Sequence, residues 1–147
     1  MANPYLDAHI HLWEYCLFNA LPSLASSSCL EEIESVIKSH PQGEWLLGVN
    51  FNQESITEKQ IPDRFLLDYW FGSRPAVIVR SCLHLIIMNS QAMQRLGVYE
   101  EDGLFLEADV FAVLTRLLPE LPFKPRDIIK NGWRQLQAEG YTRVIDM

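Results

Sequence analysis

Residues 125–147, "PRDIIKNGWRQLQAEGYTRVIDM", predict a helix that leads directly into a strand. Pro125 suits the first turn of a helix extending to Glu139, and Gly140 occupies the usual position just past the C-terminal end. The segment "YTRVIDM" that follows has the β-branched residues typical of a strand. A helix followed by such a strand is the second half of a β-α-β unit, which predicts a mixed α/β fold.

The first strand of this unit is predicted at the opposite end of the sequence, in "YLDAHIHL" (residues 5–12). If the two strands are partners, a long segment has been inserted between the first strand and its helix. The chain, residues 1–147, is therefore expected to be one compact unit with three parts. These are a first strand at 5–14, an inserted α/β subdomain at 15–122, and a helix with the second strand at 123–147.

The inserted segment alternates helical and strand patterns. "SSSCLEEIESVIKSH" predicts a helix in which Ser28 and Glu31 match the S-x-x-E capping box, and "WLLGVNF" predicts a strand. "AVIVRSCLHLIIM" is the strongest strand signal, either one long strand with a break near Cys82 or a hairpin. Asn89 or Ser90 is then expected to cap a short helix.

A second amphipathic helix is predicted after Leu106. Its apolar residues follow i, i+3, i+4, i+7 and i+8 spacing. Glu107 and Asp109 suit its positive first turn, and Pro119 stops it. No internal repeat interrupts this mixed order of elements.

Composition limits the classes of partner. The 147 residues are 48% hydrophobic and 21% charged, with a net charge of −7 and no cluster of basic residues, so nucleic acid is not an expected partner. Three widely spaced cysteines without a C-x-x-C motif favour a reduced, cytoplasmic setting. No basic segment precedes an apolar run and no long apolar window occurs, so neither export nor membrane insertion is expected.

The motif D-x-H-x-H in the first strand predicts half of a metal site. In an extended strand Asp7, His9 and His11 share one face, with the two imidazoles about 7 Å apart. Two histidines supply only two of the three protein ligands that a catalytic zinc ordinarily takes. Asp7 could be a ligand or, preferably, an acceptor that fixes an imidazole tautomer. The alternative is a pair of half-exposed strand histidines without metal.

Two further histidines are candidates. His40 lies at a helix end, where it suits the negative end of the helix dipole. His84 lies at the break in the long strand signal, where it is either a functional side chain or a buried, hydrogen-bonded histidine. Nearby Cys82 is interpreted as a small buried hydrophobic residue rather than a nucleophile.

Several phrases resemble one family in the same order. "LDAHIHL" resembles the D-x-H-x-H signature on the first barrel strand of the amidohydrolase superfamily. "PDRFLLDYWFGSRPAVIVRSCLHLIIMNSQAMQRLGV", "DGLFLEA" and "EGYTRVIDM" resemble passages of the branch called amidohydrolase family 3, which includes N-substituted formamide deformylases. The resemblance covers nearly the whole chain.

This resemblance implies a metal-dependent hydrolase of non-peptide C–N bonds, built on a β/α barrel of the TIM type. By resemblance His9 and His11 match metal ligands, zinc being the favoured divalent metal. His84 matches a substrate-facing histidine of the inserted subdomain, and Asn89 matches a polar position interpreted as a helix cap. Cys82 and Leu83 depart from the turn that usually precedes the histidine, and Ile87 replaces an aromatic residue.

The family's other metal ligands, and the aspartate that acts as acid and base, come from strands after the second. The chain is therefore expected to be a partial barrel with an inserted subdomain that is inactive alone, and it would hold either the family's divalent metal or none. It would associate with itself or with the remainder of a split enzyme. The alternative is a non-catalytic binding or regulatory module that acts through self-association or a partner.

Overall fold

The computed structural model describes residues 5–146, apart from the side chains of residues 7 and 8. The chain divides into two compact units. One takes in the residues up to Leu21 together with those from Phe123 onward, and the other is Pro22–Pro122. The elements are mixed helices and strands, which confirms the predicted α/β class.

The strands are β1 (Tyr5–Ile10), β2 (Leu46–Phe51), β3 (Ala76–Arg80), β4 (Leu85–Met88), β5 (Leu104–Leu106) and β6 (Tyr141–Asp146). The α-helices are α1 (Leu12–Ala20), α2 (Leu30–Ser39), α3 (Arg64–Phe71), α4 (Ser90–Leu96), α5 (Ala108–Leu117) and α6 (Pro125–Ala138). Short 3₁₀ turns cover Gln53–Ser55 and Leu118–Glu120. Within residues 5–146, no helix combines the length and apolar character needed to cross a membrane.

In the first unit β1 and β6 pair in parallel, and α6 precedes β6. The predicted parallel partnership of the two strands is confirmed. The helix ends as expected, with Gly140 just past its cap at φ +100°, a conformation that glycine adopts without strain. The boundary of the first strand was wrong, because β1 ends at Ile10 and the chain turns into α1 at Leu12.

The helix α1 was not predicted because its apolar and polar residues do not separate cleanly onto two faces. It nevertheless packs on α6 within this unit, burying Cys16 and Leu17. The helices approach closely at Gly132, where Cys16 occupies the space that a larger side chain would need. Burial against α6, rather than a local periodicity, therefore stabilises α1.

The second unit contains a four-stranded sheet with the order β2-β3-β4-β5. β2 and β3 are parallel, whereas β3, β4 and β5 follow one another in antiparallel pairs. The segment "AVIVRSCLHLIIM" thus forms a hairpin, which was one of the two predicted alternatives, rather than one long strand. Burial of the strands on both faces explains their nearly continuous apolar sequences.

Two capping predictions had different outcomes. Asn89 caps α4, accepting a hydrogen bond from the Ala92 N–H at 2.9 Å, as expected. The predicted capping box between Ser28 and Glu31 was wrong. The Ser28 amide and hydroxyl donate instead to Glu32 Oε2 at 2.7 and 3.0 Å, because α2 begins at Leu30 and places Glu32 over its first turn.

Candidate functional site

His9 and His11 lie at the C-terminal end of β1. His9 belongs to the strand, and His11 is the residue that caps α1, with φ −98° and ψ 83°. Both side chains are exposed. Their ring centroids lie 5.5 Å apart in an edge-to-face arrangement, so the two imidazoles are neighbours although His11 has left the strand.

The C-terminal end of β6 lies beside this pair. Ile10 and Asp146 are register partners in the parallel ladder, and Asp146 Oδ1 accepts a hydrogen bond of 2.8 Å from the Leu12 N–H. Asp146 therefore holds the first turn of α1, directly after His11. The sequence indicates no such role, because the contact joins residues 134 positions apart.

Two imidazoles fit half of a metal site. Across the part of the chain that the structure describes, no group of three or more histidine, cysteine, aspartate or glutamate side chains is arranged to hold a metal ion. The side chain of Asp7, predicted as a tautomer-fixing acceptor, lies outside the described residues. The metal-ligand roles of His9 and His11 stay predictions.

His84 lies in the second unit, at the end of the hairpin between β3 and β4. The interpretation as a buried histidine was wrong, because its side chain is 63% exposed. His84 Nδ1 lies 2.9 Å from Glu107 Oε2, and the Glu107 N–H donates to the His84 carbonyl at 3.1 Å. The side chain of Glu107 therefore contacts His84, whereas the sequence predicted that it would lie at the positive first turn of α5.

His40 lies at the end of α2 as expected, with Nδ1 3.1 Å from the Val36 carbonyl.

The cysteines divide into a protected and an accessible group. Cys16 is 2% exposed, and burial, together with the nearby charge of Asp146, raises the pKa of its thiol. Cys82, interpreted above as buried, is instead exposed, because it lies in the hairpin turn rather than in a strand. Neither cysteine has a neighbouring base that would mark it as a nucleophile among the described contacts.

We expect iodoacetamide to alkylate Cys82 at least about 100-fold faster than Cys16, because a buried thiol of raised pKa reacts only after local opening. Time-resolved peptide mass mapping at neutral pH would measure both rates. Equal rates would contradict the packing of α1 on α6. A Cys82→Ser variant provides the control, since it should leave the Cys16 rate unchanged.

Comparisons with known proteins give two sequence relatives. The chain is 31% identical over 98 residues to a Bacillus subtilis protein named as amidohydrolase YtcJ. It is 30% identical over 103 residues to the N-substituted formamide deformylase of Arthrobacter pascens. Over these residues the chain is similar to both proteins. The resemblance predicted from the motifs is thereby confirmed.

The two matches cover 64% of this chain but only 18% of either relative. The chain thus spans about a fifth of the length of these curated relatives. No protein-family model matches it.

Two crystal structures share the fold. Uncharacterized metal-dependent hydrolases from Pyrococcus horikoshii OT3 and Pyrococcus furiosus superpose with TM-scores of 0.74 and 0.71, each at 22% identity. Each comparison covers 98% of this chain and 30% or 31% of the other protein. At this identity the likeness establishes a shared fold and no more.

Proposed function

We propose that the chain is the first-strand portion of a metal-dependent amidohydrolase, in which His9 and His11 supply two ligands of a divalent metal. The proposal is carried by the two neighbouring imidazoles at the C-terminal end of a strand that pairs in parallel with β6. In β/α barrels, catalytic residues stand at this end of the strands. We accordingly interpret β1, α6 and β6 as a segment of such a barrel.

The reaction proposed for the complete enzyme is hydrolysis of non-peptide C–N bonds, the class that contains the formamides in one relative's name. A divalent metal, with zinc favoured, would supply an activated water and polarise the carbonyl. His9 and His11 would hold the metal, while Asp146 would fix the turn that carries His11. Two ligands are fewer than the three of a catalytic zinc site, so we expect no hydrolysis by the chain alone.

Metal binding by the full chain tests the assignment. We expect Co²⁺ or Zn²⁺ to bind the purified chain, and His9→Ala or His11→Ala to weaken binding at least about tenfold. Isothermal titration calorimetry and the visible spectrum of bound Co²⁺ would report affinity and ligand type.

His40→Ala is the matched control, since it removes another exposed histidine that lies far along the sequence in α2. It should leave the binding isotherm unchanged. An absence of binding, or an equal loss in all three variants, would overturn the ligand assignment.

A second candidate function is a non-catalytic module that acts by association. It is favoured by the exposed apolar side chains of the β1–β6 sheet, where Tyr5, Leu6 and Ile145 are 57%, 55% and 50% exposed. Strands of a parallel sheet are ordinarily covered on both faces. Both candidates are expected to self-associate, so sedimentation at several concentrations distinguishes them only together with the metal titration. Self-association without metal binding favours the module, whereas metal binding lost in the His9 and His11 variants favours the hydrolase.

A further inference from the structure

His84 and Glu107 meet at the end of the β4–β5 ladder. Leu85 and Leu106 are register partners, and the residues just beyond them form the imidazole–carboxylate contact of 2.9 Å. The backbone bond from the Glu107 N–H to the His84 carbonyl holds the two residues side by side. The contact is thus built on a sheet rather than on a free loop.

The backbone around this pair adopts conformations that side chains disfavour. Leu83, next to His84, has φ +61°, and Glu107 itself has φ +48°. Such positive φ values are costly for residues with a Cβ and concentrate at functional sites. Glu107 also occupies the cap position of α5 without bonding to the helix with its side chain. Its carboxylate is therefore directed to His84 instead of to a capping role.

Stability does not account for the arrangement. The side chains of His84 and Glu107 are 63% and 73% exposed, and an ion pair so exposed to solvent adds little to folding free energy. Two residues with positive φ and a helix without a side-chain cap destabilise the fold by more than such an exposed ion pair stabilises it. The pair is better explained by what it does to the imidazole.

A carboxylate oxygen only accepts hydrogen bonds, so the neutral imidazole must carry its proton on Nδ1. No residue within the described range bonds to Nε2 of His84. We infer that Glu107 is a positioning residue that holds His84 as the Nδ1–H tautomer, with the lone pair of Nε2 ready to accept a hydrogen bond from a ligand N–H or O–H. The inference about the His84 tautomer does not depend on the proposed hydrolase function, whereas the assignment of that ligand as substrate rests on it.

Nuclear magnetic resonance of the full, ¹⁵N-labelled chain at alkaline pH tests the inference. The ¹⁵N shifts of each ring distinguish Nδ1–H from Nε2–H. We expect His84 to be mainly Nδ1–H, the form that free histidine disfavours. Glu107→Ala should reverse the preference, and Glu107→Gln should reduce it, because a glutamine amide can donate as well as accept.

Controls separate positioning from folding. His40 faces the Val36 carbonyl through Nδ1 and so provides an Nδ1–H reference in the same spectrum. Glu101→Gln removes an exposed carboxylate from the loop before β5 and should leave His84 unchanged. A wild-type His84 that is mainly Nε2–H, or a tautomer unaffected by Glu107→Ala, would overturn the inference. The wild-type spectrum alone shows which tautomer His84 adopts, even if a variant fails to fold. The outcome of the metal titration at His9 and His11 does not affect this result, so failure of the tautomer inference and failure of the proposed function can be told apart.

Discussion

Replacing Asn89 with alanine is expected to lower the free energy of unfolding by about 3 kcal/mol. Asn89 is fully buried. Its Oδ1 accepts hydrogen bonds from the Ala76 and Ala92 amides, both at 2.9 Å, and its Nδ2 donates to the Arg74 carbonyl at 2.8 Å. Alanine removes all three bonds, which join the start of β3 to the start of α4. Their backbone groups then lose partners where water has little access.

Chemical denaturation followed by tryptophan fluorescence would measure the loss as a shift of the unfolding midpoint. The matched control is Asn52→Ala, which removes one capping bond of 3.1 Å to the Glu54 amide at a half-buried position. We expect this control to cost about 0.5–1 kcal/mol. Similar losses in the two variants would mean that Asn89 acts only as a helix cap.

Replacing Gly132 with alanine is expected to destabilise the unit that contains α1 and α6 by about 1–3 kcal/mol. A Cβ at this position would lie 2.9 Å from Cys16 Cβ and 3.1 Å from Cys16 Cα, and would overlap Cys16 Sγ. The substitution would by itself favour a helix by about 1 kcal/mol. Gly132→Ala therefore destabilises the unit only if the cost of steric overlap between α1 and α6 exceeds the gain in helix propensity.

Amide hydrogen exchange in α1, α6, β1 and β6, together with thermal unfolding, would report the change. Asn131→Ala is the control on the same helix, since its exposed side chain should allow a small gain in stability. Cys16→Ala removes the closest atom and should partly rescue Gly132→Ala, with a coupling energy of about 0.5–3 kcal/mol. Stabilisation by Gly132→Ala alone would contradict the close approach of the two helices.

Sequence patterns predicted the elements whose physical cause is local. The Val/Ile runs of β3 and β4, the amphipathic spacing of α5, and Pro125 with Gly140 around α6 each indicate an element without reference to the rest of the chain. The parallel partnership of β1 and β6 followed from the β-α-β rule. Asn89 was predicted as a cap, but its bonds to Arg74 and Ala76 depend on the sheet.

The errors arose where distant residues decide the structure. The three-residue strand β5 is too short for a periodic signal and exists because it pairs with β4. The pairing of Glu107 with His84 requires that register and a positive φ that no pattern reveals. At the candidate metal site the sequence predicted two neighbouring imidazoles, whereas the contact of Asp146 with Leu12 requires the finished parallel pair.

The pairing of β1 with β6 has a consequence for the order of synthesis. Contacts between these strands join residues up to 137 positions apart. At the usual rate of translation, β1 therefore waits about ten seconds or more for its partner to be made. All four strands of the β2–β5 sheet, in contrast, are complete well before β6 exists. Strand β1 therefore stays without its partner after the strands of the Pro22–Pro122 unit have been made, so the nascent chain carries an unpaired strand edge until β6 is available.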